Sequence, residues 1–433
     1  VIGMANRAFL HTLGCRLNHA ETGILAQTLA DAGYVLAGRV EDADLCIVNT
    51  CTVTREADAK SRKAVRSFIR RNPGAFMVVT GCHAQVRPEA MAAISGVDLV
   101  VGNANKLDIA SWLPAAPKKI SGAPRVIRDP IAPESFRIAP RNAMPPVCRP
   151  QIKIQDGCSG HCAFCIVPSA RGKSRGRPLD DIAAEARHLA EHGAVEIVVT
   201  GLNVGAYACE GKRLVDVLDG IAGIDGVRRV RLGSIELSGI RDELIARMAD
   251  PRHPLVPFLH IPLQSGSETV LARMGRAYRA DEFLAWIERI AARVPDVCLG
   301  TDVLVGFPGE TEAEFGETCR FLENAPLAYA HVFKYSDREG TPAACMPGKV
   351  EAVEINARGE RIRALSGAKW TAFMQSFLGR TLDVLFETKE NGFWTGYTAN
   401  YIQVFVESGE NHANQLLPVR MERIQDGRMI GCE

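Results

Sequence analysis

Cys158, Cys162 and Cys165 form a C-x3-C-x2-C run, Cys158-Ser-Gly-His-Cys162-Ala-Phe-Cys165, directly after an apolar segment of strand character. Three thiolates this close in one loop can hold a single metal centre. A structural zinc ion takes four ligands in a closed shell and would need a fourth Cys or His at finger-like spacing. His161 lies inside the loop, where its ligation would strain neighbouring Cys162. A [4Fe–4S] cluster on three cysteines leaves one iron open to an external ligand. At the carboxyl-end mouth of an α/β barrel that iron would face the substrate crevice. The spacing together with the barrel context favours the cluster over zinc.

A second set is dispersed. Cys15, Cys51 and Cys82 each follow a short apolar run: RAFLHTLG (7–14), ADLCIVNT (43–50) and AFMVVTG (75–81). In an open parallel sheet the loops after the carboxyl ends of strands converge on one edge, so three cysteines delivered separately could hold another cluster with an open iron. One cysteine in such a place is ordinarily a small buried apolar residue; three at equivalent positions reverse that reading. Cys46, Cys148, Cys209, Cys298, Cys319, Cys345 and Cys432 have no comparable placement and are assigned to packing.

The elements that must position these thiols fall into three blocks. Those apolar runs, with VDLVVG (97–102), alternate with helical segments at 21–33 and 55–71, which predicts βαβ units and an open parallel sheet over residues 5–113. Residues 114–149 are crowded with prolines and lack periodicity, and read as a linker. From 150 to 368 six further apolar runs (151–155, 195–201, 229–234, 258–264, 299–306 and 329–336) alternate with helices. A complete (β/α)8 barrel takes about 250 residues, so a partial (β/α)6 barrel is expected. After a helix near 351–378, residues 369–433 carry short strands separated by Gly and Asn and predict a small all-β barrel.

Gly14-Cys15-Arg16-Leu17-Asn18, Asn49-Thr50-Cys51-Thr52-Val53-Thr54, Gly81-Cys82-His83-Ala84-Gln85 and the C-x3-C-x2-C run together resemble the radical-SAM methylthiotransferases over nearly the whole chain. The opening GCRLN most resembles the MtaB-like branch, which acts on N6-threonylcarbamoyladenosine in tRNA. Other branches act on isopentenyladenosine in tRNA or on an aspartate of a ribosomal protein. The resemblance implies an N-terminal methylthiotransferase domain, a radical-SAM core and a C-terminal TRAM domain. It also implies two [4Fe–4S] clusters and S-adenosylmethionine. The cluster on Cys158, Cys162 and Cys165 would generate the radical that attacks C2 of the adenine. The cluster on Cys15, Cys51 and Cys82 would present the sulfur. An electron donor and a sulfur source are implied partners. Cofactor contacts are expected at barrel strand ends, from Gly201, Asn203, Ser234, Glu236, Gln264 and Gly306. A simple βα turn is the plain alternative for each glycine.

Lys plus Arg total 51 and Asp plus Glu 50 among 433 residues, so no global charge argues for nucleic acid. Local runs do. Lys60, Arg62 and Lys63 begin an acid-free basic stretch through Arg71, and Arg171, Lys173 and Arg175 follow the cysteine loop; phosphate neutralisation by such groups dominates RNA affinity. A solvated helix face is the alternative for the first run, and a cofactor carboxylate is another partner for Arg171. The last block has five Lys plus Arg against eight acids from 371 onward, without the basic excess expected of an RNA-binding domain. Its Phe393, Trp394, Tyr397 and Tyr401 could stack on bases or fill the barrel. No run of 18 apolar residues occurs, and VIGMANRAFL is too short in apolar character for a secretory leader; with 13 cysteines, an odd number, a cytoplasmic metalloprotein is expected rather than a disulfide scaffold. The rival from another class is a non-enzymatic zinc- and RNA-binding protein.

Overall fold

The computed structural model describes residues 6–120, 122–138 and 148–432. Its N-terminal sheet is wholly parallel: β1 (Arg7–Thr12), β2 (Val35–Leu36), β3 (Leu45–Thr50), β4 (Phe76–Gly81), β5 (Leu99–Val101) and β6 (Arg125–Ile127), in the order β2-β1-β3-β4-β5-β6. Strands β3, β4 and β5 are buried at every position, as a parallel sheet covered on both faces requires. Helix α1 (Arg16–Asp31) follows β1, α2 (Arg55–Arg71) follows β3 and short α3 (Cys82–Val86) follows β4. Strand β6 lies inside the proline-rich stretch expected to be a linker, so that stretch also completes the sheet.

The second block contains the six expected strands: β7 (Gln151–Lys153), β8 (Glu196–Thr200), β9 (Arg229–Leu232), β10 (Phe258–His260), β11 (Cys298–Val305) and β12 (Tyr329–Lys334). Two parallel three-stranded sheets, β9-β8-β7 and β10-β11-β12, are joined by the parallel bridge Val230↔Leu255 and by the Ile235 N–H donating to His260 O at 2.9 Å. The result is an open (β/α)6 barrel. Ile197, Val199, Val230, Leu232, Leu259, Leu299 and Val303 enter the core beneath the helices. Alternate positions therefore turn inward, and they are polar: Lys153, Glu196, Arg231, His260 and Asp302.

Helix α4 (Val167–Arg171) follows the cysteine loop, and α5 (Ala352–Gln375) leads to the closed barrel β13 (Thr381–Glu390), β14 (Phe393–Thr398), β15 (Gln403–Glu407), β16 (Leu416–Gln425) and β17 (Arg428–Cys432). This barrel caps the amino end of the larger one. Arg229 donates to the carbonyls of Tyr397 and Asp383, and Arg231 to those of Ala399 and Thr398. Trp394 lies in the small barrel's core, with Nε1 donating to Glu410 O. Tyr397 and Tyr401 stack on each other, and Arg149 lies over both rings. These three aromatic side chains thus serve packing and domain contact within the chain. No described helix is long and apolar enough to cross a membrane.

Candidate functional site

The cysteine loop leaves β7 at Gly157, whose φ is +72°; a Cβ there would lie 2.0 Å from Lys173 O, so only glycine fits. The loop is pinned by its own backbone. Cys158 N–H donates to Gly172 O, Cys165 N–H to Cys162 O and Ala163 N–H to Met274 O, at 2.8–3.0 Å. Gly160 N–H points at Cys158 Sγ (3.4 Å). Arg276, absent from the expected site, donates to Cys162 Sγ at 3.1 Å and pairs with Glu236. Burial pushes the Cys165 thiol up to about 12, so a ligand that favours thiolate would have to overcome desolvation.

The dispersed cysteines do converge. Cys15 is the N-cap of α1, Cys51 follows β3, and Cys82 opens α3. Gly14, at φ +103°, sits so close to Cys51 that a Cβ would lie 2.6 Å from Cys51 Cβ and 2.9 Å from its Sγ. Burial raises the Cys51 thiol to about 12, and the charges of Cys82 and Cys15 add to the rise, which places all three in one electrostatic neighbourhood. Arg171 Nε donates to Cys82 Sγ at 3.3 Å, and Asn103 Nδ2 approaches the same sulfur at 3.6 Å.

Among the described residues, only His260, Asp302 and His331 bring three metal-ligand atoms within 4.8 Å of one another; neither cysteine set does.

Arg171 corrects the sequence reading. Its side chain is 1% exposed, not available to RNA, and pairs with Glu21 and Asp156. Glu21 also accepts from Lys153 (2.7 Å) and Lys106. Five buried charges thus join α1 of the N-terminal sheet to the barrel, and Arg171 links that network to Cys82. The local signal was Glu21 itself: an acid on the helical stripe Leu17, Ile24, Leu25, Leu29 that faces the core. Arg175 is half-buried against Asp156, and Arg177 is enclosed by Asp181 and Glu185. Lys173 alone of Arg171, Lys173 and Arg175 is exposed. Lys60 is exposed and paired with Glu56, Arg62 is half-buried, and Lys63 is exposed.

The expected cofactor residues lie on the carboxyl rim of the barrel. Gly201 makes its close approach to Gln155, whose Oε1 accepts from the N–H groups of Leu202 and Asn203 at 2.9 Å. Asn203 Oδ1 is buried without a hydrogen-bond partner, as an atom awaiting a ligand would be. Ser234 is exposed, Glu236 is held by Arg276, and Gln264 takes a left-handed φ of +76° at the end of β10. Gly306 packs on α5, where a Cβ would meet Ile355 at 2.3 Å, and its N–H donates to Glu310.

Deeper in the barrel, His260 Nε2 lies 2.8 Å from Asp302 Oδ1 and His260 Nδ1 lies 3.1 Å from the Tyr329 hydroxyl. Burial raises the Asp302 carboxyl, but the hydrogen bonds from His260 and His331 outweigh it and hold the group at about 2.

Residues 7–102 match the family model described as "Uncharacterized protein family UPF0004", and residues 152–322 match the radical SAM superfamily. The chain is 37% identical over 431 residues to the threonylcarbamoyladenosine tRNA methylthiotransferase MtaB of Bacillus subtilis, spanning 96% of this chain and 94% of that one. It is 35% identical over 430 residues to the tRNA-2-methylthio-N(6)-dimethylallyladenosine synthase of Roseobacter denitrificans, spanning 96% of each. Among solved structures, the radical S-adenosylmethionine methyltransferase TsrM of Kitasatospora setae superposes with a TM-score of 0.56 at 15% identity, over 79% of this chain and 77% of that one, and supports the fold. The chain belongs to the radical-SAM methylthiotransferase family, in its MtaB-like branch.

Proposed function

We propose that the chain is a cytoplasmic tRNA methylthiotransferase that converts N6-threonylcarbamoyladenosine, 3′ of the anticodon, to its 2-methylthio derivative. The observation that carries this reading is the pairing of two cysteine triads through one short segment: α4 leaves the Cys158–Cys165 loop and its Arg171 reaches Cys82. A protein with the loop alone could start a radical but would have nothing to present sulfur.

In this reading Cys158, Cys162 and Cys165 hold one [4Fe–4S] cluster, and Cys15, Cys51 and Cys82 hold the second. When bound, the first with S-adenosylmethionine supplies a radical able to break an unactivated C–H bond, and the second supplies sulfur. The chain itself orients and shields. Arg276 fixes Glu236 and Cys162 relative to each other. Asn203 offers an unpaired carbonyl oxygen beside the rim. Helix α1 is tied by Glu21 to Lys153 on the first strand, which fixes the N-terminal sheet against the barrel. Arg171 places a fixed positive charge beside Cys82. An electron donor and a sulfur source complete the reaction.

Nucleoside analysis of tRNA from a deletion strain tests the substrate; an unchanged pool of the 2-methylthio-threonylcarbamoyl nucleoside refutes it, and loss of the dimethylallyl derivative instead assigns the other branch. Anaerobic reconstitution tests the cofactors: about eight iron per chain is expected for two clusters, whereas stoichiometric zinc without visible absorbance would favour the binding-protein reading.

A further inference from the structure

The two tRNA substrates named for the relatives at 37% and 35% identity differ in their chemistry. Both are adenines substituted at N6, one with an apolar dimethylallyl chain, the other with a threonylcarbamoyl group ending in a carboxylate. A site for the second needs a cation beside the sulfur-presenting cysteines that is not already neutralised.

Arg16 meets that description. It follows Cys15 directly, at the first position of α1, and its side chain is exposed. A cation is disfavoured at a helix N-terminus, and α1 has no acid in its first turn to offset it. Helix stability therefore gives no reason for an arginine here. No described carboxylate pairs with its guanidinium. It is held from the side by Tyr401: Nη2 donates to the hydroxyl at 2.8 Å, and the guanidinium carbon lies 5.5 Å from the ring centroid. Tyr401 is fixed in turn. It takes a left-handed φ of +71°, lies against Phe258 of β10 at 4.8 Å and under Arg231 at 4.7 Å. The Arg16 charge is also felt by the Tyr329 phenol on β12, beside His260 and Asp302. The remaining inward arginines are engaged: Arg231 with Glu196, Arg276 with Glu236, Arg149 with Glu387.

We infer that Arg16, propped by Tyr401 of the C-terminal barrel, binds the threonyl carboxylate of the modified adenine and so sets the chain's preference for that nucleoside over apolar N6 derivatives. The inference rests on the threonylcarbamoyladenosine reading above. A guanidinium accepts a carboxylate through two parallel hydrogen bonds, which fixes the orientation of the base as well as its identity. The contact would bring the substituent to the residue after Cys15.

The test uses reconstituted full-length enzyme and four anticodon stem-loops differing only at the target base: adenosine, N6-threonylcarbamoyladenosine, its neutral methyl ester, and N6-dimethylallyladenosine. Anisotropy gives Kd for each, and single turnovers give methylthiolation. The unsubstituted chain is expected to bind the acid about tenfold to a hundredfold more tightly than the ester, the range for losing one charged hydrogen-bond pair. Arg16→Gln should bring that ratio close to one, and Arg16→Lys should retain part of it, keeping the charge without the fork. Equal weakening of all four loops by Arg16→Gln would make the residue a phosphate contact and overturn the inference. So would an acid-to-ester ratio that survives the substitution. If Arg16→Gln loses iron, the Arg16→Lys ratio decides: an unchanged preference at undiminished strength overturns the carboxylate fork. Conversion of the dimethylallyl loop but not the threonylcarbamoyl loop by the unsubstituted chain would instead refute the substrate reading, before any variant is made.

Discussion

Replacing Glu21 with glutamine should loosen the N-terminal sheet from the barrel. Glu21 is 1% exposed and faces three cations that are 1–2% exposed: Lys106, Lys153 at 2.7 Å and Arg171 at 2.9 Å. Once the charge is removed, Lys153 and Arg171 keep only the carboxylate of Asp156, and Lys106 loses its carboxylate neighbour. Breaking a buried pair by removing one partner costs about 3–5 kcal/mol, because the remaining charge is left uncompensated; at about 1.4 kcal/mol per tenfold, that is roughly a thousandfold in the docking equilibrium. Hydrogen exchange is the assay, because Glu21 is on α1 whereas Lys153, Asp156 and Arg171 belong to the barrel. Amides of residues 16–31 and 151–156 should exchange faster by that order, while those of the closed C-terminal barrel stay protected. Glu56→Gln, which removes the exposed partner of Lys60, should change nothing measurable. Lys106→Met should cost less than Glu21→Gln, because burial already pulls Lys106 below its ordinary value despite its carboxylate neighbour. A loss under about 1 kcal/mol for Glu21→Gln, or faster exchange spread evenly over the chain, would refute the reasoning.

The same network fixes a pH dependence. Burial pushes the carboxyls of Glu21 and Asp156 up, but the surrounding Arg171, Lys153 and, for Glu21, Lys106 pull both below their ordinary values of 4.5 and 3.8. A carboxylate depressed in the folded state contributes stability that is complete above its unfolded value and is lost as pH falls through the folded one. Docking should therefore hold at neutral pH and weaken below about pH 4, and Glu21→Gln should flatten that acid limb.

Three further outcomes follow from the site. Cys82→Ala should retain reductive cleavage of S-adenosylmethionine, read as 5′-deoxyadenosine by chromatography, and lose sulfur insertion; loss of both in a folded protein would count against separate roles for the two triads. Gly14→Ala, which forces a Cβ to within 2.6 Å of Cys51 Cβ at a φ of +103°, should lower iron loading at the N-terminal set while leaving the Cys158 loop loaded. Lys63→Ala combined with Arg66→Ala removes two exposed cations of α2 and should weaken tRNA binding uniformly across sequences, reducing the salt slope by about 2.

The strands and both cysteine sets were legible because each rests on local pattern. The central strands of the parallel sheet, β3, β4 and β5, are buried at every position and mostly apolar, and Cys51 and Cys82 stand just past the carboxyl ends of β3 and β4. Strand β6 was hidden because Arg125–Ile127 is a three-residue edge strand, mostly exposed and flanked by Pro124 and Pro130; nothing in its composition separates it from a linker. The sequence assigns Arg171 to RNA phosphate or a cofactor carboxylate because its buried partners are remote: Glu21 lies 150 positions upstream. A basic run reads the same whether phosphate or a buried acid neutralises it. The stacked tyrosines were ambiguous in the same way, since Arg149 is far from them in sequence.

That misreading also changes what the nearly neutral composition means. Arg171, Arg177, Arg231, Lys106 and Lys153 are among the largest of the fully buried side chains, so a share of the 51 basic residues never reaches the surface. Their acids, Glu21, Asp156, Asp181, Glu185 and Glu196, are enclosed with them. A fold needing only stability would do as well with apolar residues in those places, because buried ion pairs roughly offset their own desolvation. Here the charged interior borders thiols whose useful form is anionic. Around Glu21 and Asp156 the buried cations outnumber the acids three to two, and the surplus is directed by Arg171 at Cys82. The same group of charges that ties α1 to the first barrel strand therefore sets a cation beside the N-terminal cysteine set, so docking of the domains and the surroundings of Cys82 depend on one set of residues.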